Sequence, residues 1–244
     1  MTTPVLAEQV KGKGRHYRIP DTDHLVPSVT NIISVLDKPA LPYWAAKMVA
    51  QTAWELRDAI GNLEEDEAVD LLKGSPWRRS RRAADRGTTI HEWLQARVLG
   101  LPLPDTDGEA AEYVDAAESW VQRFNPVPVH TEVTLFGDGY AGTADAILEI
   151  GGQVYLIDYK TSSGLYPEVA LQLSALAWSD TMIADGEVQN TPEIDRVAAV
   201  RIGKDGKWEM REVMDVRDCV EAFDHLLAVW HWKHGSNPLG GMIK

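Results

Sequence analysis

A single cysteine, Cys219, stands in a chain of 244 residues. One thiol excludes an internal disulfide, a four-cysteine zinc site and a cysteine-held iron–sulfur cluster within one chain. Long apolar runs are missing as well. No stretch approaches the roughly 18 apolar residues of a membrane span, and Met1 to Val10 lacks the basic segment and apolar run of a secretory leader. The expectation is a cytoplasmic protein with no membrane partner. Positive charge is scarce, with 24 Lys and Arg against 37 Asp and Glu and a net charge of −13. That balance excludes a broad surface coating nucleic acid, because phosphate binding relies on clustered cations.

The scarce cations are concentrated. From Arg78 to Arg86 the chain reads Arg-Arg-Ser-Arg-Arg-Ala-Ala-Asp-Arg, its most basic window, with Arg78, Arg79, Arg81, Arg82 and Arg86 against one acid. Such a run is either a solvated helix face or a contact for a phosphate backbone.

The hydrophobic fraction, 44%, is enough for a substantial core. Along the chain, His16 to Ile19 suits a short edge strand or hairpin, and Ser28 or Thr30 suits the cap of a helix over Asn31 to Leu36. A helix is expected from Tyr43 to Ile60 with Trp44, Met48 and Leu56 inward, followed by an acidic helix from Glu64 to Leu72. Ser75-Pro76 opens a helix to Leu99, and another runs from Gly108 to Phe124 with Asp107 as cap. After Pro126 and Pro128 the period becomes two. Val127, Val129, Thr131, Val133 and Leu135 fall on one face, and Gly-rich turns separate this strand from Tyr140 to Ile150 and then from Val154 to Lys160. The three form an antiparallel meander. A helix is expected from Pro167 to about Met182, then a hairpin of Arg196 to Ile202 with Trp208 to Val213, then a helix from Asp215 to about Lys233.

The segment Val154-Tyr-Leu-Ile-Asp-Tyr-Lys160 is an apolar strand that ends in two opposite charges. Strand alternation puts Asp158 and Lys160 on one face with Val154 and Leu156, and Tyr155, Ile157 and Tyr159 on the other. Taken alone, this is either a strand-end ion pair or a metal-binding rim. Asp145 on the neighbouring strand and Glu132 on the third can converge with Asp158, and carboxylates suit a hard divalent cation. His91 shares a helix face with Gly87, Thr88, Leu94 and Gln95. Gln172 sits beside the apolar stripe of the helix after Lys160.

Gly142-Thr143-x-Asp145, Ile157-Asp158-Tyr159-Lys160-Thr161 and Gln172, with Gly87-Thr88-Thr89-Ile90-His91 and Pro27-Ser28-Val29-Thr30 upstream, resemble the PD-(D/E)xK nuclease superfamily. The resemblance is to its RecB-like and Cas4-like exonuclease branch. It implies a restriction-endonuclease-like α/β (α+β) fold: a mixed sheet flanked by helices, with a helical region over residues 1–125 carrying the His motif and a nuclease core over 126–244. It implies a metal-dependent deoxyribonuclease acting in recombination, repair or phage DNA processing. His91, Asp145, Asp158 and the Tyr159 carbonyl would hold Mg²⁺ or Mn²⁺. Lys160 would be the catalytic lysine, Gln172 a residue that supports the site or contacts nucleic acid, and Glu132 a group behind the ligands or at a second metal. The four cysteines that hold the iron–sulfur cluster of Cas4 proteins are absent, so a phage-type relative without the cluster is implied.

DNA, as a single strand or a free end, is the expected partner. The five arginines would guide its backbone, with Trp77 or Trp93 as stacking surfaces. A homo-oligomer or a recombination or replication partner protein stays open. The rival expectations are a non-catalytic nucleic-acid-binding or assembly module with the same fold, and a metal-dependent hydrolase of small phosphoesters.

Overall fold

The computed structural model describes residues 4–106, 108–184 and 186–239. Two compact units divide the chain: Asp37–Thr89 forms one, and Met1–Leu36 with Ile90–Lys244 forms the other. The larger unit opens with three antiparallel strands, β1 (Ala7–Val10), β2 (Gly14–Arg18) and β3 (Leu25–Pro27). Helix α1 (Val29–Ile33) follows, capped by Ser28, whose hydroxyl accepts the Asn31 backbone N–H.

The smaller unit is helical: α2 (Ala40–Glu55), α3 (Arg57–Ile60), α4 (Glu65–Lys73) and the first part of α5 (Ser75–Leu99). From Ile90 onward α5 belongs to the larger unit. There it is followed by α6 (Gly108–Phe124) and the meander β4 (Val127–Gly137), β5 (Tyr140–Ile150) and β6 (Gln153–Lys160). Gly151 and Gly152, at φ 61° and 81°, make the two-residue turn between β5 and β6, a conformation that glycine adopts without a Cβ clash. Then come α7 (Glu168–Ala177), β7 (Thr181–Ala184), β8 (Glu187–Asn190), β9 (Arg196–Ile202), β10 (Trp208–Glu212) and α8 (Val216–His234).

The main sheet has seven strands in the order β10-β9-β6-β5-β4-β7-β8. Its pairings are antiparallel except that of β6 with β9, which is parallel. Helices cover both faces. On one side α1, α7 and α8 pack on Leu135, Ala144, Ile147 and Leu156. On the other the latter part of α5 and α6 pack on Ala146, Leu148, Ile157 and Val200. The expected α+β class, a mixed sheet flanked by helices, is what the chain forms. No helix among the described residues is long and apolar enough to cross a membrane.

Several local expectations need correction. The helix expected over 43–60 begins at Ala40 and breaks at Leu56, and of its expected inward residues only Met48 is buried; Trp44 and Leu56 are each 38% exposed. Ser75 is the first residue of α5, and its buried hydroxyl has no hydrogen-bond partner among the described residues instead of capping. The cap expected at Asp107 lies outside the described residues. The helix expected to reach Met182 stops at Ala177, and Thr181–Ala184 and Glu187–Asn190 pair as strands on the edge of β4. Met182 and Ile183 are buried there against the sheet, a tertiary contact that outweighs local helix preference. Asp215 precedes α8 but makes no side-chain cap. In β4 the simple alternation fails, since Val127 and Val129 are 52% and 39% exposed and the register shifts between Pro128 and His130.

The two segments Pro27 to Thr30 and Gly142 to Asp145 meet. Ser28 bridges to Ala141, and the Gly142 Cα faces Val29 and Leu176 so closely that a Cβ there would lie 3.2 Å from Val29 Cγ2 and 2.8 Å from Leu176 Cδ2. Thr143 Oγ1 lies 3.1 Å from the Tyr17 hydroxyl. These motif residues therefore pack α1, α7 and the small sheet onto β5, which fixes where Asp145 emerges.

Candidate metal and phosphodiester site

Asp145 sits where β5 changes face. Tyr140 and Ala144 contribute to the layer of α1, α7 and α8, whereas Ala146 and Leu148 contribute to the layer of α5 and α6. Residues two apart on a regular strand share a face, so the alternation breaks at Asp145. Opposite it on β4, between the pairs Thr131–Ala146 and Val133–Ala144, Glu132 is left-handed at φ 52°. A non-glycine residue in that region costs on the order of 1–3 kcal/mol and concentrates at functional sites.

The β5–β6 ladder ends at the pair Ala146–Ile157. Past that point the Asp145 carboxylate substitutes for the ladder: its Oδ2 accepts the Tyr159 backbone N–H at 2.7 Å. Its Oδ1 lies 3.4 Å from His91 Nδ1. His91 comes from α5, one turn after Gly87, and its ring packs edge-on against the Tyr159 ring with centroids 5.9 Å apart. The ligand atoms of His91, Glu132 and Asp145 lie within 4.8 Å of one another.

Asp158 is 4% exposed and held from two sides. Lys160 Nζ lies 2.6 Å from its Oδ2, and Gln172 Nε2 of α7 donates to its Oδ1 at 3.1 Å. The sequence reading of β6 holds in detail: Val154 and Leu156 face one core layer and Tyr155, Ile157 and Tyr159 the other. Asp158 is not in the 4.8 Å set of His91, Glu132 and Asp145.

The charges interact strongly. Burial alone would lower the His91 pKa, but the Asp145 charge and hydrogen bond, with help from Asp158, raise it to about 9. Burial likewise works against the Asp145 carboxylate, yet His91, Lys160 and the Tyr159 N–H hold it below the usual carboxylate range. Burial and the nearby Asp145 push Asp158 up to about 6 against the pull of Lys160. Desolvation of its carboxyl and the Asp145 charge raise Glu132 to about 7, even though the residue as a whole is exposed. For Lys160, the carboxylates of Asp158 and Asp145 overcome burial and raise its pKa, so the ammonium keeps its proton.

The structure thus brings together His91, Glu132, Asp145, Asp158, Tyr159, Lys160 and Gln172. The expected nucleic-acid contacts are a separate matter. Arg78, Arg81 and Arg82 are exposed and Arg79 and Arg86 half-buried, all in the smaller unit. Trp77 is 69% exposed, but Trp93 is 3% exposed within the α5–α6 core, so it offers no stacking face. Sequence reasoning missed the Tyr159 ring as the wall behind His91. Its position on the face opposite Lys160 was legible, but the helix covering that face was not.

No family model matches the chain, and no curated protein matches it. Among solved structures, the crystal structure of LHK-Exo in complex with dAMP aligns at a TM-score of 0.33 and 12% identity, covering 60% of this chain and 77% of that one. The crystal structure of an alkaline exonuclease (LHK-Exo) from Laribacter hongkongensis aligns at a TM-score of 0.30 and 13% identity, covering 62% of this chain and 84% of that one.

Proposed function

We propose that this chain is a divalent-metal-dependent deoxyribonuclease acting at DNA ends. The observation that carries the reading is the convergence of His91, Glu132 and Asp145 ligand atoms within 4.8 Å, beside a buried Asp158 paired to Lys160. Carboxylate oxygens with one imidazole nitrogen fit Mn²⁺ or Mg²⁺, and the imidazole favours Mn²⁺. His91, Asp145 and Asp158, with the Tyr159 carbonyl, would hold the ion, and the left-handed Glu132 would complete the set or serve a second ion. When bound, the ion supplies Lewis-acid polarisation of a phosphoryl oxygen and a water acidified toward neutral pH.

The protein's own groups do the rest. Lys160, held against Asp158, would present its ammonium to the phosphate oxygens. Gln172 holds the Asp158 carboxylate in its rotamer. The Tyr159 ring fixes the His91 imidazole from the side. The scarcity of cations in the chain fits a substrate bound over a small area.

The test is incubation of end-labelled linear and closed circular DNA with Mn²⁺, Mg²⁺ or EDTA, with Lys160→Ala as control. Expected are mononucleotides or short products from linear DNA, more with Mn²⁺ than Mg²⁺, and none with EDTA or the variant. Cleavage of the circle at equal rate would replace the end-dependent reading with an endonuclease. No cleavage of DNA under any metal would leave a non-catalytic binding module.

A further inference from the structure

Strand β9 ends beside the site. It pairs parallel with β6 in the register Leu156–Val197, Ile157–Ala198, Asp158–Ala199, Tyr159–Val200 and Lys160–Arg201. Partners in such a register point to the same face of the sheet. The packing agrees: Leu156 and Val197 lie in the layer of α1, α7 and α8, whereas Ile157, Ala198, Tyr159 and Val200 lie in the layer of α5 and α6. Arg201 therefore leaves the sheet on the face of Asp158 and Lys160, one strand over, its backbone about 5 Å from that of Lys160.

The Arg201 side chain runs on toward the end of the sheet. Gly203 follows β9, and a Cβ there would lie 2.8 Å from Arg201 Nη1, so the guanidinium lies beside backbone just past the strand, where the missing side chain leaves it room. Its donors are open. The side chain is 19% exposed, and Glu209, its partner across on β10, stands 3.6 Å from Nε, beyond hydrogen-bond length. Glu209 accepts a hydrogen bond from Arg211 Nε instead. Arg201 makes no hydrogen bond among the described residues. A guanidinium carries five N–H donors in a planar fork that matches phosphate oxygens, and donors withdrawn from most of the solvent favour a ligand that accepts them.

Lys160 is committed to Asp158 at 2.6 Å. A DNA strand laid across the end of β6 brings more than one phosphate. The lean of Arg201 toward β10 and Gly203 sets its guanidinium farther along the sheet than Lys160, at the place of a second phosphate.

Resting on the reading of the chain as a nuclease, we propose that Arg201 binds the DNA phosphate next to the scissile one, so that the strand runs from the end of β6 across the end of β9. The Arg201 fork takes the non-bridging oxygens of that phosphodiester, while Lys160 serves the scissile group.

The full chain is titrated, in EDTA and in Ca²⁺, with a labelled oligonucleotide as a single strand and as a duplex. Arg201→Gln, which keeps part of the aliphatic stem, should weaken binding roughly 10- to 100-fold and lower the salt slope by about 0.7 for the single strand or 0.9 for the duplex. Arg201→Lys should keep the slope and recover part of the affinity, since the charge stays and the fork is lost. Oligonucleotides carrying one uncharged methylphosphonate linkage, moved stepwise along the strand, then locate the contact. The unsubstituted protein should lose affinity at each contacted linkage, Lys160→Ala should become indifferent to one position, and Arg201→Gln to the adjacent one. Indifference of Arg201→Gln at the Lys160 position, or at none, overturns the proposal. A structural Arg201–Glu209 pair would lower the melting temperature equally in Arg201→Gln and Glu209→Gln and leave the methylphosphonate pattern intact, which also overturns it, as does the absence of binding in both conditions. Binding is read apart from hydrolysis, so the two readings fail separately. An Arg201 contact without DNA hydrolysis in Mn²⁺ or Mg²⁺ overturns the nuclease, and hydrolysis without an Arg201 effect overturns only the contact.

Discussion

The carboxylate of Asp145 accepts the backbone N–H of Tyr159 at 2.7 Å, at the place where the β5–β6 ladder stops. One side chain therefore closes the sheet and presents its other oxygen to His91 at 3.4 Å.

Substitution at Asp145 separates these two duties. Asp145→Asn keeps an oxygen for the Tyr159 N–H and loses the charge, whereas Asp145→Ala leaves a buried donor unpaired, at a cost of about 1–3 kcal/mol. Both variants should lose DNA cleavage. In urea unfolding with EDTA, the Ala variant should be less stable than the Asn variant by that amount. Equal stabilities would show that the Tyr159 contact does not hold the strands.

The metal-free protein should lose stability as pH rises toward 9. The folded-state pKa values of Asp158, Glu132 and His91 are raised to about 6, 7 and 9. A group whose folded pKa lies above its unfolded value stabilises most below the unfolded value, and that contribution disappears as pH passes the folded one. For His91 the window is therefore from about 6.5 to about 9. The lowered Asp145 has the opposite sign, but its window lies on the acid side, below the range considered. Thermal melts in EDTA across this range should show the decline, and His91→Ala should remove its upper part. A flat profile in the unsubstituted protein would refute the charge assignment.

In the proposed site Gln172 would act as a positioning residue for Asp158. Its amide donates to a nearly buried carboxylate at 3.1 Å, and a hydrogen bond to a charged group contributes about 1.5–3 kcal/mol. Gln172→Ala should destabilise by about that much and lower kcat more than it raises KM. Gln172→Glu, which sets a second carboxylate against Asp158, should do more harm than Ala. Unchanged kcat in the Ala variant would assign Gln172 to packing alone.

Gly142→Ala should destabilise by about 1–3 kcal/mol, because its Cβ would meet Leu176 Cδ2 at 2.8 Å and Val29 Cγ2 at 3.2 Å. The double variant with Leu176→Ala should lose less stability than the sum of the two single losses. Additive losses in denaturant melts would mean that the contact is not shared.

Periodicity made most of the elements legible. The α6 and β5 boundaries, the β9–β10 hairpin and the two faces of β6 follow from local patterns of apolar residues and turn glycines. The β7–β8 hairpin was not legible, because Thr181 to Ala184 are strand only by pairing with the edge of β4. The exposed face of α2 was hidden for a related reason. Trp44 and Leu56 carry an inward signature, but in a unit that buries few side chains besides Met48, Thr52, Ser75 and Pro76 they stay 38% exposed.

The chemistry divides in the same way. Strand alternation alone places Asp158 and Lys160 together on one face, so the groups at the end of β6 are read from local order. Their partners come from the packing of the fold. The face switch at Asp145, the left-handed Glu132 and the arrival of His91 and Gln172 from helices on opposite sides of the sheet depend on contacts between residues distant in the chain. A local pattern carries the direction of a side chain, whereas the partner it meets is set by the packing of whole layers.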